Sequence, residues 1–239
     1  SPATPREANF GDMTIYRAPS GATVFAAGSI GWSQTIPQIV QMTRNVLARF
    51  TAGAFADTIP VRAALPAPFN AQDIGDVGRP GFVALSGAQS FTLNGSGRGM
   101  TRTDDAMYYV YQTLSGDGQI TVRLNALQHF WDNRAGVMIR ESLAPNAKYV
   151  ALVSRPTLSA SIVFEGAELR VRSTSGSLPQ LVGSRDQAMP NWLRLARSGN
   201  SFSSFISADG TNWLPVATAT VAMNASVLIG ASVASSQYG

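Results

Sequence analysis

Tyr109 and Tyr111 alternate with Val110, so both rings fall on one face of a strand and Tyr108 falls on the other. Arg140 interrupts the apolar character of a second strand, and Trp131, Asp132 and Asn133 follow one another in a loop between strands. This is the residue chemistry of sugar recognition. An aromatic ring meets the C–H face of a pyranose while planar polar groups hydrogen-bond its hydroxyls. Trp131, Tyr109, Tyr111, Arg140, Asp132 and Asn133 are therefore the candidate carbohydrate-binding residues, provided that they converge on one sheet face. The competing reading is ordinary inter-sheet core for the tyrosines and tryptophans. Trp192 and Trp213 are read as core. Arg170 and Arg172 share a face of another strand.

Catalytic constellations are missing from the pattern. Glycoside hydrolysis needs two carboxylates held across the scissile bond. Glu141 stands alone on its strand, and Glu165 and Glu168 flank a tight turn, where they read as solvated hairpin carboxylates. His129 is the sole histidine, and no Gly-x-Ser-x-Gly elbow accompanies it. The chain has no cysteine, which excludes disulfides, thiolate metal sites and cysteine nucleophiles. The chain is not expected to be an enzyme, and no cofactor is expected. Calcium stays open: Asp73 and Asp76, the pair Asp104 and Asp105, and Asp132 with Asn133 could offer oxygens, although turn capping explains the same residues.

These residues need elements to hold them. Apolar residues make up 45% of the chain, enough for a sizeable core, and charged residues only 13%, about half the usual share. A neutral, hydroxyl-rich surface suits a secreted, extracellular protein, of bacterial origin on this reading. Ser1-Pro2-Ala3-Thr4-Pro5 reads as a processed or internal start. Net charge is +4, with Lys148 the only lysine and the arginines scattered, so no nucleic-acid partner is expected. No apolar run approaches the roughly 20 residues that span a bilayer.

Met13–Tyr16 and Thr23–Ala26 read as two short strands around Pro19-Ser20-Gly21. Ile36, Ile39, Val40, Thr43, Val46, Leu47 and Phe50 follow helical spacing behind an N-cap at Thr35, predicting a helix to about Ala52. Residues 1–56 thus form a strand–strand–helix extension that cannot bury both its faces alone. Residues 57–70, with Pro60, Pro66 and Pro68, read as a linker. From residue 71 to 239 turn signals recur at all-β spacing. Strands are predicted at 89–93, 105–114, 119–127, 135–141, 148–154, 160–165, 168–173, 192–197, 201–207, 213–218 and 227–233. Asp209-Gly210 forms the turn of a hairpin.

Several of these segments resemble a known family. Gln72-Asp73-Ile74-Gly75, Gly95-Ser96-Gly97, Asp105 to Gln112 with Ser115-Gly116-Asp117-Gly118, Arg134 to Leu143, Trp192 to Asn200 and Ser207 to Trp213 are similar, in order, to the regulation-of-enolase-like branch of the concanavalin A-like lectin/glucanase superfamily. The resemblance implies a mainly β, two-sheet antiparallel jelly-roll sandwich that serves as a secreted accessory module with glycan or polysaccharide ligands. The Glu-x-Asp-x-x-Glu pattern of the superfamily's glucanases is absent. Tyr16 to Trp32, and the helix ending Asn45-Val46-Leu47, resemble the C-terminal tail of a dimethylformamidase large-subunit-like domain, implying an incomplete remnant of a larger domain. The expectation is a non-catalytic carbohydrate-binding module of a larger secreted protein. The alternative is a self-assembling filament or sheet subunit whose N-terminal segment docks on another copy.

Overall fold

A computed structural model gives the fold. It describes residues 13–17, 23–27, 65–87, 90–127, 133–155, 166–188 and 191–235. The chain divides into two units, Ser1–Ala63 and Ala64–Gly239. In the first, β1 (Met13–Arg17) and β2 (Thr23–Ala27) pair antiparallel, with Met13 opposite Ala27 and Arg17 opposite Thr23. The helix expected over 35–52 lies outside the described residues, as does the strand expected at 160–165.

The second unit is antiparallel β throughout its described residues. Its strands are β3 (Asn70–Ile74), β4 (Phe82–Gly87), β5 (Ser90–Asn94), β6 (Met107–Ser115), β7 (Gly118–Leu124), β8 (Arg134–Arg140), β9 (Tyr149–Arg155), β10 (Gly166–Arg172), β11 (Gln180–Asp186), β12 (Asn191–Ser198), β13 (Ser201–Ser207), β14 (Leu214–Thr220) and β15 (Ser226–Ala234). A seven-stranded sheet runs β11-β10-β9-β8-β15-β6-β3, a four-stranded sheet runs β14-β13-β12-β7, and β4 and β5 form a separate hairpin. β8 to β11 is a meander, and β15 returns to fill the place between β6 and β8.

Alternation along the strands explains the layering. Val137 and Ile139, Val150 and Leu152, Leu169 and Val171, and Val227 and Ile229 project from the seven-stranded sheet. They meet Leu193, Leu195, Phe202 and Ile206 from the four-stranded sheet. These side chains are almost wholly buried, and each contributes about 1.5–3 kcal/mol. Two antiparallel sheets packed through one core make a β-sandwich. Part of the other face of the seven-stranded sheet is also covered. Met107, Tyr109, Met138, Tyr149, Ala151 and Val153 form a second buried cluster with Ile74 and Met100. All seven residues of β8 are consequently buried.

Three strands are absent from the sequence-derived set. β3 begins inside the stretch read as linker. It is an edge strand with a polar Gln72-Asp73 centre and little burial. β4 lies among glycines. β11 is exposed along almost its whole length and has no alternation to read. Trp192 and Trp213 also depart from expectation. Leu193 and Leu195 fill the core and are wholly buried, so Trp192 and Arg194 face outward from the four-stranded sheet, half-buried. Trp213 lies just before β14, also half-buried.

Candidate functional site

The registers of the seven-stranded sheet bring the candidate residues into two adjoining groups. β6 pairs with β3 so that Tyr111 lies opposite Asn70 and Tyr109 opposite Gln72. Directly opposed residues share a face, so both amides flank the tyrosine rings. Tyr109 and Tyr111 stack on each other, with centroids 5.3 Å apart and planes 15° from parallel. Tyr109 is wholly buried, and its hydroxyl donates between the carbonyl oxygens of Met138 (3.0 Å) and Leu228 (3.1 Å). Burial pushes its phenol well above the ordinary value. The ring thus reaches across β15 to β8. Gly230 sits on that path, and a Cβ there would collide with the Val110 carbonyl of β6.

Tyr111 is different. It is half-buried, packed on Tyr109 and the second core cluster from one side. Asn70, Gln72 and Thr113 beside it are exposed. The Asn70 side-chain nitrogen donates to Pro68 O at 3.3 Å and that of Gln72 to Asp73 O at 3.5 Å, and neither amide oxygen accepts a hydrogen bond among the described residues.

The second group is a buried ladder across three strand ends. Arg140 of β8 opposes Tyr149 of β9, and Tyr149 opposes Arg172 of β10. Asp105, from the loop before β6, lies between the two guanidiniums: Arg172 Nη2 is 2.7 Å from Oδ1 and Arg140 Nη1 is 3.3 Å from Oδ2. All three side chains are 0% exposed. Each arginine also ties down loops. Arg140 donates through Nε to Ser142 O (2.6 Å) and through Nη2 to Ala144 O (2.6 Å). Arg172 donates to the carbonyls of Arg102, Pro145, Ala147 and Ser177. Its guanidinium carbon stands 4.9 Å from the Tyr149 ring centre, and that of Arg140 stands 5.9 Å from the Tyr109 ring centre. Burial raises the Asp105 carboxyl above its usual value, opposed by the pull of Arg172 and Arg140.

Two expectations are corrected by this geometry. Arg140 and Tyr109 do not present donors to a ligand, because their polar atoms are spent on protein carbonyls and on Asp105 and both side chains are sealed from solvent. They support Tyr111 and the loops instead. Glu168 is not a solvated hairpin carboxylate. It is the third residue of β10, between Val153 of β9 and Ser184 of β11, and pairs with Arg170 at 2.8 Å. No turn separates it from Gly166, because β10 runs unbroken from Gly166 to Arg172.

Asn133 is buried directly before β8. Trp131 and Asp132 lie outside the described residues, as do His129 and Glu165. Of the carboxylates considered for calcium, Asp73 accepts Gly81 N through both oxygens (3.0 and 3.2 Å), Asp76 accepts Gly78 N, and Asp105 is held by Arg140 and Arg172. Among the described residues no group of three or more His, Cys, Asp or Glu converges.

No family model and no curated protein matches the chain. Solved structures do. A functionally unknown protein from Saccharomyces cerevisiae superposes with a TM-score of 0.52 at 14% identity, covering 65% of this chain and 83% of its own. A Bauhinia forficata lectin solved with GalNAc gives 0.42 at 12% identity, over 75% and 90% of the two chains. A Bacillus subtilis protein of unknown function with a galectin-like fold gives 0.41 at 13% identity, over 73% and 86%. The yeast likeness is one of fold alone.

Asp105 and Arg172 are the residues whose partnership sequence reading missed. Their separation in the chain hides it. The available signal was the repeated placement of an arginine at the end of an apolar strand, in Val137-Met138-Ile139-Arg140 and Leu169-Arg170-Val171-Arg172. Such a residue demands a buried partner.

Proposed function

We propose that the sandwich is a non-catalytic carbohydrate-binding module of concanavalin A-like, jelly-roll type, in the regulation-of-enolase-like branch that its motifs resemble. On this reading it works outside the cell as part of a larger secreted protein. The observation that carries the reading is Tyr111: a half-exposed ring, stiffened from behind by Tyr109 and flanked by the exposed side chains of Asn70, Gln72 and Thr113. A ring held rigid loses little freedom on binding, and adjacent amides and a hydroxyl match a sugar's hydroxyl pattern. Trp131 and Asp132 complete the proposed contact set on the sequence argument. Catalysis is disfavoured on this face, because Asp105 is locked between two arginines and Glu168 is paired with Arg170. Neither carboxylate can face the other across a glycosidic bond.

The test is a glycan array followed by calorimetry on the best ligand. Tyr111→Ala is expected to weaken binding at least about tenfold, a loss of about 1.4 kcal/mol. Tyr111→Phe, which keeps the stacked ring, should retain most of the affinity. Wild-type affinity in Tyr111→Ala would overturn the assignment.

A further inference from the structure

The solvent face of the four-stranded sheet carries a different constellation. β12 pairs with β7 so that Trp192 opposes Arg123 and Arg194 opposes Thr121. β12 pairs with β13 so that Arg194 opposes Phe205. With Leu193, Leu195 and Ile206 turned into the core, Trp192, Arg194 and Phe205 lie side by side on the outer face. The Arg194 guanidinium stacks on Trp213, its carbon 3.7 Å from the ring centre, and its Nε donates to Thr121 Oγ1 at 3.3 Å. That stacking fixes the fork while leaving Nη1 and Nη2 without a protein acceptor among the described residues.

Arg123 stands diagonally across from Arg194, with side-chain roots about 7–8 Å apart by sheet geometry. It is exposed. Neither arginine has a carboxylate partner among the described residues. Two acids in the turns of this sheet are engaged elsewhere. Asp209 accepts Thr211 N, Asn212 N and the Asn212 amide within its own turn. Asp117, at the far end of β7, accepts Gly199 N at 2.6 Å. In a chain with only 13% charged residues, two neighbouring guanidiniums without a counter-charge among the described residues stand out. Thr121, Ser203 and Thr218 bring hydroxyls to this face, with Ser201 opposite Thr220 toward its end and Gln119, Ala196 and Pro215 between them.

We propose that this face is a second binding site, for an acidic polysaccharide. The two arginines take a uronate carboxylate, for which a guanidinium fork is the fitting donor. Trp192, Phe205 and Trp213 meet the sugar rings, and the serine and threonine rows bond the hydroxyls. Two cations are too few for a nucleic-acid footprint, which neutralises several phosphates along a strand.

The full chain is titrated with polygalacturonate, with neutral dextran and with single-stranded oligodeoxythymidine, as wild type, Arg123→Gln, Arg194→Gln and Tyr111→Ala. Wild type should bind polygalacturonate at least about tenfold more tightly than dextran. Each arginine substitution should remove most of that preference. Arg123→Gln touches only an exposed side chain, so an unchanged thermal melt separates lost binding from lost folding. Tyr111→Ala should leave this affinity intact, which keeps the site distinct from the one on the seven-stranded sheet. Equal binding of the acidic and neutral polymers, indifference to Arg123→Gln, or tighter binding of the oligonucleotide would each overturn the proposal.

Discussion

Asp105 is the residue on which the loop end of the seven-stranded sheet depends. Its carboxylate is the shared anion of Arg140 and Arg172, and those arginines in turn hold the carbonyls of residues 102, 142, 144, 145, 147 and 177. Two cations and one anion are enclosed, so the cluster keeps a net positive charge in a dry setting. Removing the anion leaves two buried guanidiniums facing each other, and breaking a buried pair in this way costs about 3–5 kcal/mol. Asp105→Asn should therefore lower the free energy of unfolding by about 3 kcal/mol or more in urea titration, with the loops that it gathers losing protection from hydrogen exchange first. A change under about 1 kcal/mol would mean that the loops are held by packing alone. At this scale the sequence was half legible. The tyrosine pair could be read from alternation, and it does stack. Arg140 was noticed as an intruder in an apolar strand, but its partner lies 35 positions away in the chain, counted from Asp105 to Arg140. No local pattern encodes that distance.

At the scale of the element, the β13–β14 hairpin shows what turn chemistry does. Gly210 takes a φ of +77° in the turn and leaves room for the Trp192 indole, which a Cβ there would crowd. Asp209 accepts the backbone N–H groups of Asn212 and Thr211 and bonds the Asn212 amide and the Ser207 hydroxyl, and these hold its carboxyl well below the usual range. A carboxyl whose folded pKa is depressed stabilises the fold above its unfolded pKa of about 3.9, and that stability fades as pH falls below it. Asp209→Asn imitates the protonated form. Wild type should therefore exceed the variant in urea midpoint at pH 6, and the two should draw together as pH is lowered through 3. A gap that stays constant with pH would show that the charge of Asp209 is irrelevant to the turn. This hairpin was readable because Asp-Gly between alternating segments is a local signal. Trp192 was misplaced although the same local rule applied: Leu193 and Leu195 occupy the core phase, which leaves Trp192 and Arg194 outside. Bulk suggested core, and strand phase decides against it. β11 was invisible for the opposite reason, since an edge strand wet on both sides carries no hydrophobic period, and β3 because its half-buried positions are a small Ala71 and a polar Asp73.

At the scale of the whole molecule, the sandwich leaves two edges together on one side. β11 ends the seven-stranded sheet and β14 the four-stranded one, and Arg185 Nε donates to Pro215 O at 2.9 Å between them. Leu178, Leu181, Val182 and Leu214 are exposed there, a composition that invites strand addition by another copy. The edges are nevertheless blunted. The register shifts between Leu169 and Arg170 and again between Ser204 and Phe205, which bends both outer ladders, while Pro215 removes a donor from β14 and Arg185 and Asp186 place charge on β11. These devices act against edge-to-edge growth, so the unit Ala64–Gly239 should be monomeric when expressed alone. It should also unfold in one cooperative step, because each sheet finds its cover within residues 64–239. Light scattering on that fragment and on the intact chain tests both points and bears on self-assembly as well. Larger species from the intact chain alone would locate assembly in Ser1–Ala63. Larger species from both would mean that the exposed leucines at the β11 and β14 edges outweigh the bulges and charges. A second fragment starting at Asp76 lacks β3 and bares the β6 edge beside Tyr109 and Tyr111. It should melt lower and associate, since the strand that positions Asn70 and Gln72 also closes that end of the sheet.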